Sequence, residues 1–198
     1  MDIDPKDIID AAEAATPRRV ARLNAAVAIT VAVLATLMGI FKVKDDNIVQ
    51  AMQQAQADKL DHWAYYQARN IRQQMAEATA VQLELAAQTA PATAAGYQTA
   101  IARDRALAQE QAAKKDQLKT QAEQDQLNYD ALNYRDDQFD LSDALIAIAI
   151  SMLAVTALTG LWPLYWVALV PTGFGVLMGV AGLAALPIHP GALIQLLS

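Results

Sequence analysis

Pro91-Ala-Thr-Ala-Ala-Gly96 is the only run with helix-breaking residues in the long stretch from Asp45 to Asp143. The arms on either side, Lys42 to Thr89 and Tyr97 to Asp143, contain neither glycine nor proline and are nearly equal in length. Equal arms around a central breaker predict that the chain folds back on itself as an antiparallel helical hairpin, with its turn near residues 90–97.

The charged residues are segregated along the chain. Residues Ala144 to Ser198 contain no Lys, Arg, Asp or Glu, although the whole chain carries 15 basic and 21 acidic residues. A globular protein spreads its polar residues over its surface, so this segregation indicates contact with both water and lipid. The net charge of −6 argues against nucleic acid as a partner. The absence of cysteine excludes disulfides and thiolate sites.

The first apolar segment runs without charge from Leu23 to Phe41. As a helix it would rise roughly 28 Å, enough to cross the hydrocarbon core of a bilayer. A cleaved signal peptide is the rival interpretation. The long acidic lead and the lack of a small-x-small site before Lys42 favour an uncleaved anchor.

These patterns predict an all-α integral membrane protein with three transmembrane helices. A long antiparallel helical hairpin, coiled-coil-like, separates the first span from the second. Asp4-Pro5 and Thr16-Pro17 are the helix-start signals before the first span. The predicted segments are a short amphipathic helix or tail (residues 1–16), transmembrane helix 1 (17–44), the hairpin (45–143), transmembrane helix 2 (144–161), transmembrane helix 3 (164–186) and an interfacial tail (187–198).

Apolar residues at spacings of three and four predict the seam between the two arms. The seam is rich in Ala and Gln, so we expect neighbouring hairpins to supply further burial. A turn near residue 93 would bring Glu84 close to Arg103, and Lys44 close to Asp143. The predicted seam consists of Leu60, Trp63, Ala64, Ile71, Met75, Ala78, Val81 and Leu85 on the first arm, and Tyr97, Ile101, Ala108, Leu118, Ala122, Tyr129, Leu132 and Phe139 on the second.

Two kinds of residue indicate packing between helices or subunits. Small residues recur at four-residue spacing in the spans, which allows close approach of helix backbones in lipid. Aromatic residues beside the seam are more typical of packing anchors than of a ligand-stacking box. The expected oligomer and helix-packing residues are Trp63, Tyr66, Ile71, Ala35, Gly39, Gly175 and Gly179.

Acidic residues gather at both feet of the hairpin. Asp45 and Asp46 lie at one foot, and Asp136, Asp137, Asp140 and Asp143 lie at the other. In a ring of hairpins they would form an acidic collar that enriches cations at the membrane surface. The alternative is a solvated border that Lys42 and Lys44 partly neutralise.

Candidate chemistry is sparse. Asp58 and His62 share a helix face, but a metal site needs further ligands from the facing arm, which offers Asp125 and little else. Phosphate loops and nucleophile–base arrangements are missing from the sequence. We therefore expect no metal, no cofactor and no catalytic residues, and we predict that the protein is not an enzyme.

Basic residues suggest an orientation. Arg18, Arg19 and Arg22 precede the first span, whereas Lys42 and Lys44 follow it. This excess predicts a cytoplasmic amino terminus in a bacterial inner membrane. Three spans then place the hairpin in the periplasm.

The segment from Asp46 to Ile71, DNIVQAMQQAQADKLDHWAYYQARNI, resembles a bacterial membrane family known as DUF4337. The run Trp63-Ala-Tyr-Tyr-Gln-Ala68 carries the resemblance most specifically. One span, a long charged helical region and two closely spaced spans resemble that family over nearly the whole chain. The resemblance implies an architecture and no particular activity.

The expected function is that of a non-enzymatic membrane scaffold or accessory subunit. It would assemble through the hairpin and through the small-residue faces of the spans. The alternative is a homo-oligomeric channel or transport component with the acidic collar at its mouth. The expected partners are membrane lipid and either further copies of the chain or the subunits of a larger membrane complex.

Overall fold

A computed structural model describes residues 5–89 and 94–188, with side chains from residues 18–89 and 95–188. These residues form three helices: α1 (Pro5–Thr89), α2 (Ala94–Thr159) and α3 (Trp162–Ala184). All three are long and apolar enough to cross a membrane. The described part of the chain contains no strand, so it is all-helical as predicted. Residues 90–93 of the turn predicted at 90–97 lie outside the described residues, whereas residues 94–97 already belong to α2.

The first helix is continuous from the amino-terminal region into the hairpin. It runs unbroken through Pro17, where the sequence predicted that a new helix begins. A proline inside a helix removes one backbone hydrogen bond, and the long helical stretches on either side can maintain the helix across it. No stop signal separates the first apolar segment from the arm that follows, and α1 extends through both, as predicted.

The connection between α2 and α3 is only two residues long. Gly160 adopts φ +68, a left-handed conformation that favours glycine, and Leu161 is extended before α3 begins at Trp162. Pro163 lies in the first turn of α3, where its missing N–H is not needed. The third helix therefore begins two residues before the predicted boundary at residue 164. It ends at Ala184, two residues before the predicted boundary at 186.

The chain divides into two compact units. The first contains Met1–Val49 and Asn133–Ser198, and the second contains Gln50–Leu132. The first unit therefore includes residues 45–49 and 133–143, which the sequence assigned to the hairpin. The physical reason is the burial of Asp45, Ile48, Phe139 and Leu141 in this unit.

In the first unit, parts of α1, α2 and α3 pack around a small apolar core. Its fully buried large side chains include Leu23, Leu34, Phe41, Ile146 and Leu153. Tyr165 and Thr30 join α3 to α1 through a hydroxyl–hydroxyl hydrogen bond of 3.0 Å. Many large aliphatic side chains on the remaining faces are exposed, as on helices that face lipid.

In the second unit, α1 and α2 form an antiparallel pair. Its contacts join residues in opposite chain order: Lys59 to Gln126, Asn70 to Lys115, and Glu84 to Arg105. Glu84 therefore pairs with Arg105 instead of the predicted Arg103. The predicted register was therefore two residues off at this end, and Arg103 bonds instead to its own neighbour Asp104 at 3.1 Å.

Candidate assembly surface

The arm of α1 in the second unit carries two stripes of residues, each with alternating spacings of three and four. The inner stripe faces α2, and its members are buried or half-buried. Spacings of three and four repeat every seven residues, which is the pattern of a coiled coil. The inner stripe consists of Met52, Ala55, Lys59, His62, Tyr66, Arg69, Gln73, Ala76, Ala80, Leu83 and Ala87.

The middle of the inner stripe is polar, and its side chains bond to α2. His62 Nδ1 lies 2.6 Å from Asp125 Oδ2, so these residues face each other as the sequence predicted. Arg69 donates to Gln111 Oε1 at 2.9 Å. The Lys115 ammonium lies 5.9 Å from the centre of the Tyr66 ring. Small residues at the ends of the stripe and paired polar groups in its middle therefore hold the arms together.

The predicted seam was wrong for the first arm. Of its eight members, only Trp63 is even half-buried, and the other seven are exposed. On the second arm Ile101, Ala108 and Ala122 are buried as predicted. The first-arm prediction followed the larger apolar side chains. The structure instead places against α2 the stripe whose polar groups have partners there.

The larger side chains form an outer stripe, defined as Leu60, Ala64, Gln67, Ile71, Gln74, Ala78, Val81 and Leu85. All eight residues are exposed. Ile71 of this stripe and Ala80 of the inner stripe are nine positions apart, or about two and a half helical turns, so the stripes lie on opposite sides of α1. The four large aliphatic members are each more than half exposed. An apolar stripe with coiled-coil spacing is therefore left uncovered in the isolated chain.

Two predicted aromatic packing residues lie beside these stripes. Trp63 and Tyr66 are both half-buried, and their rings make an edge-to-face contact with centroids 5.2 Å apart. Tyr66 belongs to the inner stripe, whereas Trp63 immediately precedes Ala64 of the outer stripe. The two rings therefore lie on the side of α1 between the inner stripe and the outer stripe.

In the first unit, the predicted small residues divide into two groups. A Cβ added to Gly179 would overlap the Phe41 ring, and one added to Gly175 would lie 2.9 Å from Ile146 Cγ1. These two glycines are therefore points of close helix contact within the chain. Ala35 and Gly39 are exposed, and a Cβ on Gly39 would meet nothing within 4 Å. The Ala35 and Gly39 face is free in the single chain.

Polar contacts fasten α3 to α2 near the same glycines. The buried Ser142 hydroxyl donates to Gly175 O at 2.8 Å. Arg135 donates to Gly182 O at 3.0 Å, and Gln138 donates to Leu186 O at 2.9 Å. The Gly182 and Leu186 carbonyls lie at or beyond the end of α3, where carbonyls lack partners within the helix. The Gly175 carbonyl lies where close packing brings α2 next to the backbone of α3. The sequence did not predict these contacts. The only indication in the sequence was that Arg135, Gln138 and Ser142 are polar residues close to an apolar span.

The predicted acidic collar forms a cluster in the first unit, and its carboxylates differ in burial and in their contacts. Asp45 is buried, and Lys42 Nζ lies 2.7 Å from its Oδ2 and 3.6 Å from Asp46 Oδ1. Asp46 and Asp140 are exposed, and Asp143 is half-buried. Burial raises the pKa of both Asp140 and Asp143, and Lys42 opposes the rise. Lys42 therefore neutralises part of the cluster.

Asp136 is the member of the cluster with the largest displacement of its pKa. Partial burial, the Asp45 side chain and the charge of Asp140 raise the pKa of Asp136 from 3.8 to about 6. Among the described residues, no group donates to the buried Asp45 Oδ1 while both carboxyls are ionised. A proton on Asp136 allows its carboxyl to donate to Asp45. The sequence placed Asp136 at this foot of the hairpin, one helical turn before Asp140, but gave no sign of its raised pKa.

Within the described residues, no group of three or more His, Cys, Asp or Glu side chains is arranged to hold a metal ion. Two grooves along the described part of the hairpin are open and mainly lined by alanine and polar residues. The larger, of about 430 Å³, is bordered by Ala51, Gln54, Ala55, Asp58, Asp125, Asn128, Ala131 and Leu132. The exposed outer stripe is therefore the most distinctive feature of the second unit.

Comparison with known proteins identifies a family. The family model described as Domain of unknown function (DUF4337) matches residues 23–185, which include parts of all three helices. No curated protein and no solved structure matches the chain. The expected resemblance is thereby confirmed.

Proposed function

The chain belongs to the DUF4337 family, and we propose that it is a non-enzymatic membrane scaffold or an accessory subunit of a membrane complex. It assembles with copies of itself through the outer stripe of its hairpin and through the free Ala35 and Gly39 face of its first span. The observation that carries this proposal is the exposure of all eight members of the outer stripe. A stripe of this kind on a water-facing helix is stable when a partner covers it.

The energies favour assembly in a membrane over assembly in free solution. Burying one large aliphatic side chain contributes about 1.5–3 kcal/mol. The four in the outer stripe are 54–62% exposed, so covering them contributes roughly 3–7 kcal/mol for one chain. Association in solution costs about 4–15 kcal/mol of lost freedom, which is a comparable amount. Anchoring both copies in one bilayer reduces that cost, and the free Ala35 and Gly39 face supplies a second contact.

The proposed setting is a bacterial inner membrane crossed three times. Arg18, Arg19 and Arg22 favour a cytoplasmic amino terminus, which places the hairpin in the periplasm. In that orientation the outer stripe is available to other copies of the chain on the periplasmic side, and lipid contacts the exposed aliphatic faces of the first unit.

The acidic cluster favours a second candidate, a homo-oligomeric channel or transport component. Carboxylates at a pore mouth would enrich cations there. The scaffold remains the preferred proposal, because Asp45 is buried against Lys42, which neutralises part of the negative charge of the cluster.

Replacing Ile71 by Asp tests the proposed function. Ile71 lies in the middle of the outer stripe, so a charge there would be desolvated when a partner covers the stripe. We expect Ile71→Asp to weaken self-association at least about tenfold, equivalent to about 1.4 kcal/mol. The measurement is co-purification of two differently tagged copies of the full chain from mild detergent.

Thr79→Asp is the matched control. Thr79 is an exposed residue of the same arm that lies off the outer stripe. The Thr79→Asp substitution introduces the same charge as Ile71→Asp, and we expect it to leave co-purification at the wild-type level. Equal co-purification of the Ile71 and Thr79 variants would contradict assembly through the outer stripe.

A further inference from the structure

We propose that the outer stripe of one copy packs against the outer stripe of a second copy, in parallel and in register, as a two-stranded coiled coil. This inference rests on the proposed function and specifies the partner surface. The occupant is therefore another copy of this chain. Three properties of the stripe support it: its repeat, the order of its layers and the charges beside it.

The repeat assigns each member of the outer stripe to one of two core positions. In heptad notation, Ala64, Ile71, Ala78 and Leu85 occupy the a positions, and Leu60, Gln67, Gln74 and Val81 occupy the d positions. The alternation holds from Leu60 to Leu85 without interruption. An unbroken repeat of this length is the requirement for two helices to stay in contact along a supercoil.

A layer consists of the core residues that two paired helices place at the same height along a coiled coil. The order of the residues in the outer stripe favours a parallel pair in register over the other arrangements. In that arrangement each layer pairs identical residues, so Gln67 meets Gln67 and Gln74 meets Gln74 of the second copy. A side-chain amide carries both donors and an acceptor, so two facing amides can satisfy each other. The aliphatic residues Leu60, Ile71, Val81 and Leu85 meet only their own kind.

An antiparallel pair mixes the layers instead. If two antiparallel stripes overlap over their whole length, Ile71 lies against Gln74 of the second copy and Gln67 lies against its Ala78. Both amides would then be covered by apolar groups and would lose hydrogen bonds to water without replacement. A parallel pair displaced by one heptad has a similar fault, because it sets Leu60 against Gln67 and Gln74 against Val81.

The residues beside the stripe permit the parallel pair. The flanking contacts join Trp63 to Ala68, Asn70 to Met75, and Glu77 to Gln82 of the second copy. No like charges face each other in these pairs. Copies with one membrane orientation also carry the continuous α1 in the same direction, which a parallel pair requires.

Cysteine crosslinking tests this arrangement directly, because the natural chain contains no cysteine. Val81→Cys places one thiol in a core layer, and Thr79→Cys places one on the exposed surface away from the stripe. A third sample mixes copies carrying Ala64→Cys with copies carrying Val81→Cys, the two positions that an antiparallel pair would bring together. Each full-length variant is oxidised in native membranes. Two differently tagged copies identify crosslinks between copies of the chain.

We expect Val81→Cys to give at least about ten times more disulfide-linked homodimer than Thr79→Cys, because only the core layer brings the two thiols within the few ångströms a disulfide requires. Crosslinks in the mixed sample without any from Val81→Cys alone would overturn the parallel arrangement. A lack of crosslinks in every sample, with co-purification of tagged copies retained, would overturn pairing between two outer stripes and leave assembly of copies through other surfaces, such as the Ala35 and Gly39 face, standing. Loss of co-purification in the wild type would overturn both.

Discussion

Asp45 and Asp136 form a carboxyl pair whose stability depends on one proton. The pKa of Asp136 is raised to about 6, so the folded chain holds this proton more tightly than the unfolded chain. The stabilising contribution is complete below about 3.8, the usual value, and is lost as the pH rises through about 6. The charged groups that act on Asp136 are Asp45 on α1, and Asp137 and Asp140 on α2. The described part of α3 contains no Asp, Glu, Lys, Arg or His.

Asp136→Asn is predicted to remove this pH dependence. The amide is uncharged at every pH, and its N–H₂ group can donate to the buried Asp45 oxygen that has no donor when both carboxyls are ionised. We expect the variant to raise the unfolding temperature by a few degrees at about pH 8 and to leave it unchanged at about pH 4.

Tryptophan fluorescence during heating of the detergent-solubilised chain measures this difference. Asp116→Asn is the control, because Asp116 is an exposed carboxylate of the second unit and the substitution removes the same charge. A gain of equal size at both pH values would contradict the proton-sharing pair.

Gly179 and Gly39 provide a second prediction at the residue scale. A Cβ at position 179 would overlap the Phe41 ring, whereas one at position 39 meets nothing within 4 Å. We expect Gly179→Ala to destabilise the first unit by about 1–3 kcal/mol, the usual effect of overpacking. Gly39→Ala should be neutral or slightly stabilising in the single chain, since alanine favours the helix. Thermal unfolding in detergent compares them, and equal effects would refute the close contact at Gly179.

At the scale of elements, α1 carries two stripes of residues on opposite sides, each with alternating spacings of three and four. The sequence predicts the hairpin and the pairing of His62 with Asp125, because equal arms and the absence of breakers fix both. It does not predict the inner stripe, because a search for large apolar residues selects Leu60, Ile71 and Leu85 on the opposite side. Alanine and polar residues do not by themselves indicate a packing face of α1, because the polar residues can be recognised as paired only when their partners on α2 are known.

The polar middle of the inner stripe leads to a prediction about hairpin stability. Asp125→Ala leaves His62 half-buried without its partner, so we expect local unfolding of the arms to become easier by about 1 kcal/mol. The double variant His62→Leu with Asp125→Leu should be at least as stable as the wild type, because apolar packing replaces the polar pair.

Hydrogen exchange of the backbone amides around residues 59–66 measures this local stability. Asp58→Ala is the control, because Asp58 bonds only to Gln54 on its own helix among the contacts described and should change exchange little. A double variant less stable than Asp125→Ala alone would show that the polar pair is required for the fold of the hairpin.

At the scale of the whole molecule, charge segregation predicts three apolar helices and the order of the segments. It does not predict that residues 45–49 and 133–143 join the first unit, because that depends on burial of Asp45 and Phe139 among neighbours distant in sequence. The outer stripe belongs to this scale as well. Its residues are visible in the sequence, but its availability to a partner follows only from the position of α2 on the opposite side of α1.

The central claim is that the protein works as an assembly of copies. The most direct test is the mass of the full-length complex in lipid nanodiscs, with every co-purifying protein identified. The account predicts a mass that corresponds to two or more copies of the 21.3 kDa chain. A single copy with no other protein attached would contradict the scaffold. A single copy bound to other subunits would contradict self-assembly and identify the chain as an accessory subunit.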